Sequence, residues 1–488
     1  MADPYANNDC NNNAEMTMLK KLVAGVMLAC GAASAGAIEL AGLQNAHDPG
    51  TITKDGDTYF NFTTGTGIWY STSTDLKTWQ GGPAPVFATN PAWVEQKIPN
   101  FKATGSSYWA PDVIQMNGAY YLYYSVSQWG TTNSAIGVAR SPSLKNPVWT
   151  DLGMVVQSNG RGNADINAID PALFRDHDGR VFMSFGSFFG GIGVAEINQA
   201  TGKLANYVTK IAGGTNARRD IEAPYITRNV DYYYLFANRG ACCQGSNSTY
   251  YVEVQRATSI DGPYSEPRTI LANVDGRHKG PGHVGVLKQG GCNFVSTHYY
   301  DTADNGFAKL QIMKMTYATR GTDIDWPVFT RDFDSFTDDC DGVSDGRYAI
   351  FNQHSGKALT VADTARLRAT QPGAMVQQKD FGNLKNQFWY VIGHGNGDYS
   401  VINENSLLGM DDWEVSMSPG AKVAQWSYWG GDGQKWQFEG ADGSPVIIKN
   451  KLNGLAAEVS NQSTANNAPI LQYPLHGGAS QQWSLVRK

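Results

Sequence analysis

Five segments of this chain share one layout: a small or acidic residue beside proline, an aromatic-rich strand, a turn and a second strand. They read HDPGTITKDGDTYFNF, WAPDVIQMNGAYYLYY, IDPALFRDHDGRVFMSF, EAPYITRNVDYYYLF and GHVGVLKQGGCNFVSTHYY. Anchored on Pro49, Pro111, Pro171, Pro224 and His283, the copies follow one another at 62, 60, 53 and 59 residues. Self-similarity at this period predicts an all-β fold, a five-bladed β-propeller over residues 38–330 with one blade per copy. The turn signals Asp55-Gly56, Asn117-Gly118, Asp178-Gly179, Asn229 and Gly290-Gly291 suit tight hairpins, because these residues tolerate positive φ. Closing such a ring brings the residues beside the anchors to one end of a central channel. Asp48, Asp170 and Glu222 are among them.

A second repeat runs through residues 346–488. Q-x-W occurs at Gln387-Phe388-Trp389, Gln434-Lys435-Trp436 and Gln481-Gln482-Trp483, with 47 residues between successive tryptophans. Gln378, Gln425 and Gln472 keep the same step, and Asn352, Asn403 and Asn450 open the three units. Three units of this size resemble the ricin B-type β-trefoil, the fold of carbohydrate-binding module family 13. The acidic, glycine-bearing stretch at 331–345 reads as a linker between the two domains.

Charged residues make up only 17% of the 488 and aromatics 11%, with 54 glycines. That balance fits a turn-rich β protein with aromatic binding surfaces and excludes a disordered chain. A net charge of −6 without basic clusters argues against nucleic acid or an anionic membrane as partner. Near the start, Lys20 and Lys21 precede LVAGVMLACGAASAGA, which ends in an A-x-A site at Ala35-Gly36-Ala37. This is the layout of a secretory signal peptide, so residues 1–37 are read as an N-terminal extension and signal, and the protein as secreted or periplasmic. Residues 1–17 fit neither signal nor fold, and the residues before Cys30 make a poor lipobox. A monomer with no membrane span is expected.

Past the signal, Cys242, Cys243, Cys292 and Cys340 remain, with no C-x-x-C or Cys/His metal spacing. Cys242 and Cys243 are adjacent, which disfavours their pairing. Buried free thiols are the expectation.

Carboxyl groups on opposite faces of a glycosidic bond suffice to hydrolyse it, one as acid and one as base. The acid needs a raised pKa, from burial or a neighbouring carboxylate, and the base must stay ionised. Asp48, Asp170 and Glu222 come from copies one, three and four. Glu222 stands one place further from its strand than the two aspartates. Against this stands a plain structural role, since Asp before Pro commonly shapes a turn.

The blocks HDP, APD, IDPALFRDHDGRVFMSFGSFFGGI, IEAPYI and CCQGSNSTY closely resemble the arabinanases of glycoside hydrolase family 43, across essentially all of 38–330. The resemblance implies Asp48 as general base, Asp170 as the residue that tunes and orients, and Glu222 as general acid. It implies inversion of configuration, with carboxyl groups roughly 6.5–9.5 Å apart to admit a water. It also implies that His283, read as replacing the anchor proline of copy five, helps hold a central calcium ion surrounded largely by water. Read from the residues alone, His283 is a satisfied core histidine before it is a metal ligand, since calcium prefers oxygen ligands. Trp109 is a candidate sugar platform, with blade packing as its other reading. Asn167 and Ser187 are candidate contacts to sugar hydroxyls, and Arg219 faces either the cleft or a surface ion pair.

In ricin-type trefoils each pocket uses an acidic residue about eight positions after the opening of the unit, plus an aromatic. Here those positions hold Thr360, Asp411 and Glu458. The first unit thus departs from the pattern, while Asp411 with Trp426 and Glu458 with Tyr473 form two candidate sugar pockets. The Q-x-W tryptophans read as core. Together these features predict an exported hydrolase cleaving α-1,5-linked L-arabinofuranosyl bonds of arabinan. The alternatives are an exo-acting arabinofuranosidase or β-xylosidase of the same family, or a non-catalytic lectin.

Overall fold

The first strand of each motif copy lies on a central channel, and the next strands step outward from it. In a computed structural model, residues 40–488 are described except 100, 102–106, 159–164, 214–219, 319–324, 332–339, 341 and 441–443. The expected signal segment, Cys30, Arg219 and most of the expected linker lie outside the described residues.

Five largely antiparallel sheets form the blades. The first holds Thr53–Asp55, Thr58–Thr63, Trp69–Ser73 and Thr78–Gly81. The second runs from Ser107–Met116 to Thr150–Gln157, and the third from Ala172–Arg175 to Thr209–Ala212. The fourth runs from Ile221–Arg228 to Arg268–Leu271, and the fifth from His278–Gln289 to Pro327–Thr330. The ring closes where the chain before the first blade pairs with the fifth. There Ala46 N–H donates to Ala308 O (3.2 Å) and Leu310 N–H donates to Gln44 O (2.7 Å). Asn117 and Gly118 both have positive φ (49° and 70°), as a type I′ hairpin requires.

The anchor column shows a backbone device that repeats five times. Asp48, Ala110, Asp170, Ala223 and His283 all adopt left-handed φ, between 45° and 60°. Ladder pairing is interrupted at Ala110-Pro111, Ala223-Pro224 and His283-Val284. Proline tolerates such a break because it has no N–H to leave unpaired. This corrects the placing of the fifth copy: His283 aligns with Asp48 and Asp170, and Val284 takes the proline column. Copies one, three and five therefore present a functional side chain from the left-handed position. Copies two and four place alanine there and present Trp109 and Glu222 from the residue before.

From Gly346 to Arg487 the strands form a single 12-stranded sheet system folded as three similar units. Trp389, Trp436 and Trp483 are fully buried at its centre. Their indole N–H groups donate to the equivalent carbonyls of Leu359, Met410 and Ala457 at 2.9–3.0 Å.

The trefoil docks on the turns of the third, fourth and fifth blades, at the strand ends remote from the anchors. Val230 packs with Ile392, Ile402, Tyr390 and Tyr428. Lys288 Nζ donates to Asp345 Oδ2 (2.8 Å), whose Oδ1 accepts from Gly393 N–H (2.7 Å). Gly395 (φ 82°) approaches Met315 O so closely that a Cβ there would lie 2.2 Å from it.

The expectation of free thiols is overturned. Cys292 bonds Cys340 across a Cα–Cα distance of 5.3 Å, tying the fifth blade to the chain that enters the trefoil. Cys242 bonds its neighbour Cys243. Adjacency did not forbid that bond, because Cys243 takes a left-handed φ of 67° within a tight loop. Among the described residues no helix is long and apolar enough to cross a membrane.

Candidate active site

A cavity of about 420 Å³ opens at the anchor end of the channel. Asp48, Trp109, Asn167, Asp170, Ser187, Glu222 and His283 all line it. Residues up to 235 positions apart in the chain (Asp48 to His283) thus converge on one site.

Asp48 is held by a dense set of donors. Thr64 Oγ1 donates to its Oδ2 (2.7 Å), and His47 Nδ1 lies 2.8 Å from the same oxygen. His283 Nδ1 and His298 Nδ1 approach Oδ1 at 3.8 and 3.7 Å. Burial alone would raise this carboxyl. The His47 imidazole, through charge and hydrogen bond, together with His283 and His298, instead holds it well below the usual carboxylate range.

Asp170 and Glu222 are tuned the opposite way. Burial, reinforced by the charge of Asp48, pushes Asp170 up to about 8, against the opposing pull of the Ala223 N–H that donates to its Oδ2 (3.1 Å). Burial and then the neighbouring Asp170 and Asp48 carboxylates raise Glu222 well above the ordinary glutamate value. Tyr250 hydroxyl donates to Glu222 Oε1. One ionised carboxylate and two that retain protons share the cavity, which is the division that acid–base hydrolysis needs.

Trp109 is half-buried at the wall. The more exposed Trp129 meets it edge to face, with ring centroids 5.9 Å apart. Asn167 and Ser187 are buried and bonded to each other, Nδ2 donating to Oγ at 2.9 Å. They form one unit of the wall.

His47, Asp48 and His298 are close enough to suggest a metal cluster. Most of their nitrogen and oxygen atoms are already engaged, however: His298 Nδ1 accepts from Asp48 N–H (3.2 Å) and His47 Nε2 lies 2.8 Å from Tyr300 hydroxyl, while His298 Nε2 is buried without a hydrogen-bond partner among the described residues. His47, Thr64, Tyr250, His298 and Tyr300 escaped the sequence reading. His47 sits in the quoted HDP block, and His298 and Tyr300 in the HYY of the fifth copy; only the ring places them beside Asp48.

In the trefoil, Thr360, Asp411 and Glu458 occupy equivalent strand positions, opposite Gln377, Ala424 and Leu471. Thr360 has no charge to offer, and its hydroxyl is bonded within the unit to Ala358 O and Gln387. Asp411 Oδ2 accepts from Trp429 Nε1 (3.2 Å), whereas Trp426 rests against Trp413. Glu458 bonds His476, Ser480 and Gln481, and shares a groove with Tyr473. Trp429 and His476, three residues beyond the expected aromatics, are the polar partners that the sequence reading missed. They too are separated by the 47-residue step.

Residues 43–324 match the model of glycosyl hydrolases family 43, more than half of the chain. The chain is a family 43 glycoside hydrolase. Residues 335–426 and 432–488 of the hydrolase match the ricin-type β-trefoil lectin domain-like model. It is 35% identical over 321 residues to the extracellular endo-α-(1→5)-L-arabinanase 1 of Bacillus subtilis, covering 63% of this chain and 95% of that protein. It is 34% identical over 341 residues to the extracellular exo-α-(1→5)-L-arabinofuranosidase of Cellvibrio japonicus, covering 64% of this chain and 94% of the relative. Among solved structures, the family 43 endo-arabinanase of Bacillus licheniformis is 36% identical with a TM-score of 0.54, over 59% of this chain and 99% of that one. The family 43 hydrolase thus carries a complete propeller followed by a lectin-like trefoil.

Proposed function

We propose that the hydrolase cleaves α-1,5-linked L-arabinofuranosyl bonds of arabinan with inversion, acting outside the cell. The observation that carries this reading is the opposite tuning of Asp48 and Glu222 within one cavity. Asp48, ionised, draws a proton from a water that attacks the anomeric carbon. Glu222, protonated, donates to the departing glycosidic oxygen, and Asp170, through its carboxyl oxygen Oδ2, accepts from the Ala223 N–H and so holds the backbone beside the acid. Inversion needs both carboxyls at once, with room for the water between them. Trp109 and Trp129 supply ring faces against which furanose rings stack.

Support for arabinan comes from the endo- and exo-acting relatives, both of which are named for the same α-(1→5) linkage. Their extracellular naming, with the signal-like segment at 1–37, supports export. In the trefoil, the Asp411 and Glu458 pockets bind carbohydrate and the Thr360 unit does not.

His283 is the calcium ligand in this reading. Its ring offers one nitrogen near the axis, with Asp48 as the nearby carboxylate. Calcium takes six to eight oxygens, so this donor set suits an ion that keeps most of its water. When bound, the ion adds positive charge near the carboxylates.

Sizing the products of linear arabinan over time tests the reading. Mixed oligosaccharides at early times mark endo action, whereas monomer or one short product marks exo action. Proton NMR of the first product gives the anomer, and a retained anomer overturns inversion. Absence of cleavage, with binding kept, leaves a lectin.

A further inference from the structure

The loop between the second and third strands of the fourth blade reaches both ends of the acid–base pair. Its far end carries Tyr250, whose hydroxyl bonds Glu222. Its near end carries Cys243, whose backbone N–H donates to Tyr300 hydroxyl oxygen (2.8 Å). Tyr300 hydroxyl in turn meets His47 Nε2 (2.8 Å), and His47 Nδ1 meets Asp48 Oδ2 (2.8 Å). Because the ionised Asp48 only accepts, His47 donates to it from Nδ1, and His47 Nε2 is left to meet Tyr300 hydroxyl. The N–H of Cys243 completes the chain by occupying Tyr300 oxygen.

The loop is built to hold that N–H still. Ala241 N–H donates to Thr249 Oγ1 (2.8 Å), Thr249 N–H to Ala241 O (3.0 Å), and Ser248 Oγ to the same carbonyl (2.9 Å). A short 3₁₀ turn at Gly245–Asn247 closes its tip. Cys243 sits at φ 67°, a conformation costly for a non-glycine residue unless its surroundings fix it. The bond to Cys242 supplies that restraint.

We infer that the Cys242–Cys243 disulfide is a positioning element of the hydrolase: it fixes the Cys243 N–H, which orients Tyr300, His47 and, through them, the Asp48 carboxylate. The inference rests on Asp48 being the base. His47, Cys242 and Cys243 also line the cavity, whereas Tyr300 does not, so loss of the Tyr300 hydroxyl is the change that slows the chemical step and leaves substrate binding in place.

The test uses the full chain with linear arabinan and with an aryl arabinofuranoside. Tyr300→Phe removes one oxygen and should lower kcat on both substrates by on the order of tenfold, with KM unchanged. Cys242→Ser/Cys243→Ser should show the same loss. Combined with Tyr300→Phe it should lose no more, because both act through one hydrogen bond. Thermal melts of the same samples identify a variant that has failed to fold, and Tyr300→Phe then stands alone as the deciding variant. Unchanged kcat in Tyr300→Phe, a rise confined to KM, or additive losses would overturn the inference. Asp48→Ala is assayed alongside: activity there sinks the assignment of the base, whereas an inactive Asp48→Ala with a normal Tyr300→Phe sinks only the relay.

Discussion

The backbone N–H of Ala223 donates to Asp170 Oδ2 at 3.1 Å, so the aspartate of the third blade grips the residue next to the glutamate of the fourth. This bond links adjacent blades at the point where the proton donor is mounted. It also keeps the Glu222 side chain directed at the cavity that Asp48 enters from the first blade.

Glu222→Gln should reduce cleavage of arabinan by ~10³-fold, within the usual contribution of a general acid. An aryl arabinofuranoside with an acidic phenol needs little protonation, so it should retain much more of its rate. Comparable losses on both substrates would remove Glu222 as the acid.

Asp170 also gives a pH signature in stability. Its folded pKa of about 8 lies above the ordinary 3.8, so folding takes up a proton between those values. The contribution of Asp170 to folding stability therefore falls as pH rises from about 4 to about 8. Asp170→Asn removes that dependence. Its melting temperature should gain on wild type across the window while its activity falls, and a constant difference across pH would contradict the assigned shift.

Leu407 occupies a turn position held by glycine in the other two trefoil units. Its φ is 58°, against 67° at Gly356 and 69° at Gly454. The side chain is 67% exposed, so little packing would be lost. Leu407→Gly should stabilise the trefoil by about 1 kcal/mol, read from chemical denaturation.

Asp411→Ala and Glu458→Ala should each weaken retardation of the full chain in arabinan-containing gels, and together abolish it. Thr360→Ala should change nothing. Equal effects at all three positions would mean that the trefoil units are not specialised.

Chelation should lower the melting temperature of the wild-type hydrolase, and added calcium should restore it. His283→Ala should show neither response. A melting curve indifferent to chelator in the wild type would remove the ion from this site.

The repeat periods made both domains legible, because each unit restates one packing problem. Asp48, Asp170 and Glu222 were legible for the same reason: they fall beside a recurring motif. His283 was found but placed one residue off, since only φ distinguishes it from the proline column. Tyr300 and His298 were not legible, because inward-facing residues of a second strand alternate like any core position. The cysteine pairs left no spacing signal. Trp429 and Trp426 both precede Gln434 within a run of aromatics, and only the Asp411 hydrogen bond selects between them.

The docking of the trefoil on the turns has a consequence for how the enzyme meets a polymer. From Glu222 at the cavity to Arg228 at the trefoil side is a run of six residues, roughly 20 Å of strand. A sugar held by the trefoil is therefore moored behind the blades, and its own strand would have to travel around their flank to reach the carboxylates. An enzyme tethered this way faces away from its mooring, with its mouth presented to neighbouring polysaccharide chains.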